Sequence, residues 1–569
     1  MLLGYAITIA VVLSFILMML SIFLYRKELY KLLKKHTNKK AIIFLIVILI
    51  FFTIISLLFI PAVEQLYFDE NIYQGIALNI VHSGNSLWCQ YGTGYLTNCY
   101  SNQLYHDPVG FELFLGIIFL IFGSGPSISY AFQFFIGVLS VIGVFLLASV
   151  LTENKYLGAI SAFIFSTIPE LLIWTRTQAA PDLPFMMLTI YSFFFFVVFT
   201  KNENKRSLLL FLSSFSLVLY TRIEAFILFP VFLILYFIFG EYKPIELIKK
   251  RISSIKNLQY NFYALIILLL FIFLILPEFF YVNTESLSPQ YGQASNQSIL
   301  SVSNFLQNIN YNSGFFLGTT TNYPTISSIN LLVLSILGIF TIILLKKIKN
   351  KFGILLAMLL PIFIYFLFYT FFYAGSVDYG VDVRFMLELM PFLAILSGIG
   401  ILGLFNTVSF ILSKLKLKAA KKLAVLFIPI FVIVGVILPF YFIFPYISLP
   451  ISQMPQEYFN TQATTFIYNN YQKVPTSCLV FSFTPDIWYT LNRSSAQISY
   501  MSEGNLTTKM NTFKNYSCFV FDYGYWCTTP EYHNSSCGTQ LYSYNLSVLA
   551  TQRNSEGSNF TLYKINNFT

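Results

Sequence analysis

The residues that could do chemistry stand at the ends of long apolar segments of this sequence. Two neighbouring carboxylates, Asp69 and Glu70, follow the second apolar segment, and Arg176, Arg222 and Arg384 stand at the ends of three later ones. A positioned carboxylate can take a proton from a hydroxyl group, and an arginine can pair with a phosphate through two parallel hydrogen bonds. This combination suits a reaction in which a hydroxyl attacks and a phosphate leaves.

The composition identifies the class of protein that carries these residues. Of 569 residues, 57% are hydrophobic and 10% are charged, against about a quarter charged in a soluble domain. Apolar runs long enough to cross a bilayer as helices recur along the chain. The composition therefore excludes a soluble globular protein and predicts a polytopic α-helical membrane protein. The net charge of +10 does not indicate nucleic-acid binding, because the basic residues cluster in short loops between apolar runs.

Twelve membrane helices are predicted, at residues 2–24, 41–61, 130–151, 157–174, 183–200, 207–220, 224–240, 262–282, 330–346, 353–373, 386–405 and 423–444. Alternate connecting loops hold 25 of the 34 Lys and Arg residues, so these loops are placed in the cytoplasm. Residues 62–129 and 283–328 contain no Lys or Arg and are placed outside. The first segment has no basic region before it and no small-residue cleavage site, so it is predicted to be a membrane helix rather than a signal peptide.

Cysteines and glycosylation sequons support the same orientation. All six cysteines lie in the predicted outer parts: Cys89, Cys99, Cys478, Cys518, Cys527 and Cys537. This distribution suggests disulfides in an oxidising compartment, and proximity favours the pairs 89–99 and 527–537. Seven Asn-x-Ser/Thr sequons occur after residue 444, at Asn492, Asn505, Asn515, Asn534, Asn545, Asn559 and Asn567. We expect a multi-pass cell membrane protein, with an archaeal membrane favoured and a eukaryotic secretory membrane as the alternative.

Two modules are predicted. Residues 1–444 form a transmembrane catalytic domain, in which the first outer loop, 62–129, carries two juxtamembrane helices near 69–81 and 111–122. The second of these is only about twelve residues long, which is too short to span a bilayer. Residues 445–569 form a small extracytoplasmic α/β domain, because helical and strand-like patterns mix there. No glycine-rich phosphate loop of the nucleotide-binding types occurs, so ATP hydrolysis is not expected to drive the protein.

Several short motifs, in a fixed order and on one side of the membrane, resemble those of the GT-C superfamily of membrane glycosyltransferases. The similar members are the protein O-mannosyltransferases, the aminoarabinose transferases and related enzymes that depend on polyprenyl-phosphate sugars. The motifs are Phe68-Asp69-Glu70, His106-Asp107-Pro108-Val109-Gly110, Arg176 to Asp182, Thr221-Arg222-Ile223-Glu224 and Arg384 to Pro391. Asp107 stands where the family has a proline, so the second match is partial. The resemblance covers most of residues 41–444.

The resemblance implies sugar transfer, with inversion, from a polyprenyl (dolichyl) phosphate donor to a glycan, protein or lipid acceptor at the outer membrane face. Asp69 is our candidate base. Arg384, followed by Arg222 and Arg176, would stabilise the leaving phosphate. Glu70 would orient the acceptor, or hold a divalent cation together with Asp69. Asp182 would contact sugar hydroxyls, and the substrate-binding set also includes His106 and Asp107.

Other interpretations of these residues stay open at this stage. Asp69 and Glu70 could cap a helix, His106 could close a turn, and the arginines could extend to lipid headgroups. The alternatives for the whole protein are transfer of a complete oligosaccharide to asparagine, a transporter or flippase for lipid-linked sugars, and a receptor whose tail binds a ligand. A transporter predicts ionisable residues at helix centres and repeated halves, which the sequence does not show clearly. Phe521 to Trp526 is interpreted as a strand and a turn.

Overall fold

The structure is a computed structural model that describes residues 2–105, 107–202, 204–239, 258–285, 300–317, 326–344, 350–372, 375, 384–414, 427, 429–502, 513, 515–528, 537–538 and 544–567. The N-terminal part is a bundle of apolar helices. The C-terminal part is a small domain with one mixed sheet, and it packs on the outer loops of the bundle. A multi-pass membrane protein is thereby confirmed.

Each predicted membrane span coincides with helix in the structure. The helices of the bundle are α1 (Leu2–His36), α2 (Lys39–Leu58), α5 (Pro126–Thr152), α6 (Lys155–Ser166), α7 (Pro169–Trp174), α8 (Asp182–Asn202), α9 (Lys205–Leu219), α10 (Leu228–Ile238), α11 (Leu258–Glu285), α13 (Ile326–Leu344), α14 (Lys351–Phe371), α15 (Met390–Lys414) and α16 (Pro429–Ile447). Seven of the described helices are long and apolar enough to cross a membrane by length and composition alone.

Several spans are shorter in the structure than the sequence predicts. The predicted span 157–174 is divided, because the chain turns after Ser166 and Pro169 then begins α7. At a rise of about 1.5 Å per residue, the twelve residues of α6 reach only about 18 Å along the helix axis. The α6 helix packs against α2, α5 and α15, and α8 is almost wholly buried.

Small residues allow α13 and α15 to approach closely. A Cβ atom added at Gly338 would lie 2.0 Å from the carbonyl oxygen of Leu396, and one added at Gly400 would lie 2.2 Å from that of Leu334. The Ser335 and Ser397 hydroxyls are 3.0 Å apart in the same contact. In a lipid bilayer the hydrophobic effect does not drive helices together, because lipid tails are as apolar as the helices. Helices associate there through close backbone packing and hydrogen bonds between polar side chains.

Three further helices are not among the candidate spans: α3 (Tyr67–Ser83), α4 (Gly110–Phe122) and α12 (Val302–Leu317). The first two confirm the predicted juxtamembrane helices, and the third was not predicted. Gly116 of α4 packs against α3, since a Cβ there would lie 3.1 Å from the carbonyl oxygen of Ala77. The first outer loop is therefore a compact unit of two packed helices.

One sheet joins the first outer loop to the tail. Its strands are β1 (Trp88–Gly92), β2 (Cys99–Gln103), β3 (Cys478–Ser482), β4 (Ser494–Gln497), β5 (Cys518–Tyr523), β6 (Asn545–Arg553) and β7 (Asn559–Asn567), in the order β2-β1-β4-β3-β5-β7-β6. The β4, β3 and β5 strands are parallel, and the remaining pairs are antiparallel. Tyr91 of β1 pairs with Ala496 of β4, so the hairpin of the outer loop completes the sheet of the tail.

The helices of the tail and its disulfides hold this sheet. The tail begins with α17 (Pro455–Asn470), and α18 (Pro485–Thr490) connects β3 to β4. Disulfides join Cys89 to Cys99 and Cys527 to Cys537, which confirms both predicted pairs, and a third joins Cys478 to Cys518. The strand-like patterns predicted in the tail correspond to β strands in the structure, among them β3, β5, β6 and β7. A small α/β domain at the C-terminus is thereby confirmed.

Candidate active site

The first turn of α3 presents two carboxylates with different surroundings. Asp69 is half-buried, whereas Glu70 is fully buried. The Glu70 carboxylate accepts the backbone N–H of Gln65, just before the helix, whereas the Asp69 carboxylate accepts a hydrogen bond from a side chain elsewhere in the loop. The hydrogen bond of the Asp69 carboxylate therefore joins it to the loop, and that of Glu70 joins it to the backbone before α3.

Two tyrosines bind the two half-buried carboxylates of the first outer loop. The Tyr105 hydroxyl donates to Asp69 Oδ1 at 2.6 Å, and the Tyr73 hydroxyl donates to Asp107 Oδ2. The two tyrosine rings pack edge to face with their centroids 5.8 Å apart. Asp69 and Asp107 are thus brought to one site by a tyrosine pair, although they are far apart along the loop. His106 lies outside the described residues.

Glu70 points away from this site into the protein. Its Oε1 accepts the backbone N–H of Gln65 at 3.2 Å, and its Oε2 has no hydrogen-bond partner within the described part of the chain. Burial raises the pKa of Glu70 well above its usual range, and the nearby Glu64 adds to the rise. Glu64 is also buried, accepts the Thr464 hydroxyl at 2.6 Å, and has its pKa raised by burial to about 8.

The start of α4 connects the tyrosine pair to the next polar helix end. The Gly110 N–H donates to the Tyr220 carbonyl at 2.6 Å, and a Cβ at Gly110 would lie 2.5 Å from that oxygen. Only glycine allows this approach. Glu112, two residues after Gly110, is fully buried, and burial raises its pKa well above the usual range, with Asp107 and Glu278 contributing. Asp107 therefore lies close to the segment that carries Arg222.

Arg222 is held by two carboxylates. Its Nη1 donates to Asp182 Oδ1 at 2.7 Å, while its Nε and Nη2 donate to the two oxygens of Glu224 at 3.1 and 2.8 Å. All three residues are almost fully buried. The Arg222 guanidinium also lies 5.5 Å from the ring centroid of Phe385. The sequence analysis did not predict this arrangement, in which Arg222 forms ion pairs with two carboxylates of the protein and holds Asp182 in place.

Arg176 differs from Arg222 in its surroundings. It is half-buried, and its Nε donates to the carbonyl of Ile60 at 3.3 Å. Within the described ranges no carboxylate forms an ion pair with it. Its backbone carbonyl accepts the Val63 N–H at 3.1 Å, which fixes the segment beside the first outer loop. Arg384 begins a 3₁₀ helix, Arg384–Leu389, and its side chain lies outside the described residues.

Two partner residues of this site escaped the sequence analysis. Tyr73 follows Asp69 by four positions, so helical spacing alone places the two on one face of α3. Tyr105 directly precedes the His106-Asp107 motif and gave no comparable signal. Among the side chains that the structure describes, no three His, Cys, Asp or Glu residues are grouped as metal ligands.

Comparison with known proteins identifies the fold. Residues 106–276 match the family model described as dolichyl-phosphate-mannose-protein mannosyltransferase. Among curated proteins, none matches the sequence. ArnT from Cupriavidus metallidurans, bound to undecaprenyl phosphate, aligns over 93% of this chain and 98% of its own with a TM-score of 0.57 and 11% identity. The chain has the GT-C fold. The apo state of the same ArnT aligns over 92% of this chain and 97% of its own with a TM-score of 0.54 and 11% identity.

The oligosaccharyltransferase of Archaeoglobus fulgidus, tethered to an acceptor peptide, is a more distant match. It aligns over 93% of this chain and 74% of its own with a TM-score of 0.48 and 12% identity, which is too low to support an argument. The match of residues 106–276 includes the His106 motif and the segments of Arg176 and Arg222. The resemblance to the GT-C fold is therefore confirmed.

Proposed function

We propose that the protein transfers a single sugar, with inversion, from a polyprenyl-phosphate donor to a hydroxyl acceptor on the extracytoplasmic side of the membrane. The observation that carries this proposal is the pair of half-buried carboxylates, Asp69 and Asp107, each bound by a tyrosine hydroxyl. A carboxylate that accepts one fixed hydrogen bond keeps its orientation and still has lone pairs for a substrate. The undecaprenyl phosphate bound to ArnT supports a lipid phosphate donor.

Asp69 is the proposed base. Its Oδ1 is occupied by Tyr105, and its Oδ2 accepts none of the hydrogen bonds within the described residues. In the reaction, Oδ2 takes the proton of the acceptor hydroxyl while the hydroxyl oxygen attacks the anomeric carbon. The bond from that carbon to the phosphate oxygen breaks, and the lipid phosphate leaves with the electron pair. A single displacement of this kind inverts the anomeric carbon.

The leaving phosphate needs a positively charged side chain that does not already form ion pairs with carboxylates of the protein. Arg222 donates its hydrogen bonds to the carboxylates of Asp182 and Glu224. Its proposed role is therefore to hold Asp182 in position for contact with the sugar. Arg176 and Arg384 are the proposed phosphate partners, and Arg176 is favoured by the absence of a carboxylate partner within the described part. A divalent cation at Asp69 and Glu70 stays a prediction, and so does a substrate contact of His106.

The proposed orientation places the tail and the site outside the cytoplasm, in an archaeal cell membrane or in a eukaryotic secretory membrane. Three disulfides support this side, because they persist in oxidising compartments. The lysine-rich loops at the opposite ends of the helices support it as well. The proposed acceptor is a glycan, a protein or a lipid whose hydroxyl reaches Asp69.

The test is sugar transfer by purified full-length protein in nanodiscs, with a panel of polyprenyl-phosphate monosaccharides and one lipid-linked oligosaccharide. We expect the wild type to consume one monosaccharide donor and Asp69→Asn to lose at least about a hundredfold in rate, the usual size of general-base catalysis. Glu153→Gln is the matched control, since Glu153 pairs with Lys201 at 2.8 Å far from the site. We expect it to keep full activity.

The outcomes separate the alternatives. Consumption of the oligosaccharide donor alone would replace single-sugar transfer by transfer of a complete oligosaccharide. Undiminished turnover by Asp69→Asn would exclude Asp69 as the base and move the site elsewhere. An analysis of the product's anomeric configuration tests inversion, and retention would contradict a single displacement.

A further inference from the structure

The tail contacts the proposed base through a short chain of side chains. Asp486, at the start of α18, accepts a hydrogen bond from Nε1 of Trp88 at 2.9 Å, and both residues are fully buried. The Trp88 ring packs edge to face on Tyr105, with centroids 5.8 Å apart. Tyr105 in turn donates to Asp69. One residue of the tail is thus three contacts away from the carboxylate of the proposed base.

Asp486 also lies directly against the helix that carries Asp69. A Cβ atom added at Gly75 of α3 would lie 1.7 Å from Asp486 Oδ1, so glycine is required there for the two elements to meet. The β1 strand, which begins with Trp88, is fixed independently by its pairing with β4 of the tail. Asp486 therefore contacts both elements that position Asp69, namely α3 and the strand that holds Trp88 against Tyr105.

From these contacts we propose that Asp486 and Trp88 are positioning residues for sugar transfer, through which the tail sets the orientation of the Tyr105–Asp69 pair. The proposal rests on the proposed function of Asp69. Loss of the Trp88–Asp486 hydrogen bond lets the Trp88 ring tilt. Tyr105 then keeps Tyr73 but loses Trp88 as a packed ring neighbour, and Asp69 loses its fixed geometry. Small errors in the placement of a reacting group reduce the rate much more than they reduce binding. The expected signature is a lower kcat with an unchanged KM for the donor.

The chain offers a matched control for this hydrogen bond. Trp488 donates through Nε1 to Asp522 Oδ2, also at 2.9 Å, and both residues are buried. This second tryptophan–aspartate pair lies wholly within the tail. Trp88→Phe and Trp488→Phe therefore remove the same kind of hydrogen bond with the same loss of ring area. Only the first removes a bond between the tail and the loop that carries the proposed base.

The experiment compares four variants of the full-length protein in nanodiscs: Trp88→Phe, Trp488→Phe, Asp486→Leu and Asp486→Asn. We expect Trp88→Phe and Asp486→Leu to lower kcat about tenfold or more at unchanged donor KM. Asp486→Asn keeps an oxygen that accepts the Trp88 N–H, so we expect near wild-type kcat. Trp488→Phe is expected to keep kcat. Equal losses of kcat in both tryptophan variants, or full activity in Asp486→Leu, would overturn the proposal.

Hydrogen exchange of α3 tests the coupling without turnover. We expect faster exchange of Tyr67–Ser83 amides in Asp486→Leu than in wild type, and no such change in Trp488→Phe. If the wild type consumes no donor but α3 exchange still changes selectively, the proposed reaction fails and the coupling between the tail and α3 stands. Unchanged α3 exchange in Asp486→Leu refutes the coupling, whatever the reaction proves to be.

Discussion

Glu64 makes the junction between the bundle and the tail sensitive to pH. It is 3% exposed, accepts the Thr464 hydroxyl at 2.6 Å, and its pKa is raised from 4.5 to about 8. The cause is burial, which disfavours the charged carboxylate, and the Thr464 hydrogen bond offsets only part of it. Above pH 4.5 the unfolded chain releases a proton that the folded protein keeps, so the free energy of unfolding falls as pH rises until about pH 8.

The magnitude follows from the two pKa values. At about 1.4 kcal/mol per pH unit, the interval from 4.5 to about 8 corresponds to at most about 5 kcal/mol of stability that is present at pH 4.5 and lost at pH 8. Glu64→Gln keeps an oxygen that accepts the Thr464 hydroxyl and cannot ionise. We expect this variant to be nearly as stable as wild type at pH 5 and clearly more stable at pH 8.

The assay is the thermal unfolding midpoint of the purified protein in detergent between pH 5 and 9, followed by tryptophan fluorescence at one heating rate. Glu556→Gln, a change at an exposed acid of the tail, is the control for loss of one charge, and its curve should parallel that of wild type. If the midpoints of wild type and Glu64→Gln run parallel over the whole pH range, Glu64 does not hold a proton in the folded protein and the reasoning is refuted.

Three further predictions concern the site and the tail. Tyr105→Phe removes the hydroxyl that donates to Asp69. A hydrogen bond to a charged group contributes about 1.5–3 kcal/mol, so the rate of sugar transfer in the nanodisc assay should fall roughly 10- to 100-fold. An unchanged rate would count against a role of the tyrosine pair. Arg222→Met removes the ion pairs of two buried carboxylates with this arginine and should cost about 3–5 kcal/mol, seen as a lower thermal midpoint. The double variant Cys478→Ser/Cys518→Ser opens a loop of 40 residues and should lower the stability of the tail by about 4 kcal/mol, measured by denaturant unfolding of the full-length protein.

Local patterns in the sequence predict the helices well, and the side of the membrane stays a prediction. The length of each apolar run predicts where a span begins and ends, and the placement of lysines predicts which loops share a side. Both properties are local in the sequence. The short apolar run that becomes α4 is recognised because it is too short to span. Two disulfides were predicted because their cysteines are ten positions apart. The pair Cys478–Cys518 has no such signal, since it depends on β3 lying beside β5.

The pairing of partners at the site could not be predicted in the same way. The sequence analysis recognised charged residues at helix ends, among them Arg222, Asp182 and Glu224. It could not predict that they pair with one another, because the pairing depends on how the helix ends meet in the fold. The role of Tyr105 depends on the side chain it faces across the loop. The pairing of β1 with β4 joins segments with no shared local pattern, and β4 itself is a short run of small polar residues that resembles a turn.

The sheet that the first outer loop shares with the tail also determines when the proposed active site can form during synthesis of the chain. Trp88 and Asp486 are 398 positions apart, so the hairpin that follows α3 is made long before the strand that pairs with it. At about 5–20 residues per second, the hairpin waits for roughly 20–80 seconds with an unpaired edge at the membrane surface. The proposed active site would thus form only after β4 and α18 of the tail have been made, so a chain that stops before them is expected to be inactive even when every predicted membrane helix is present.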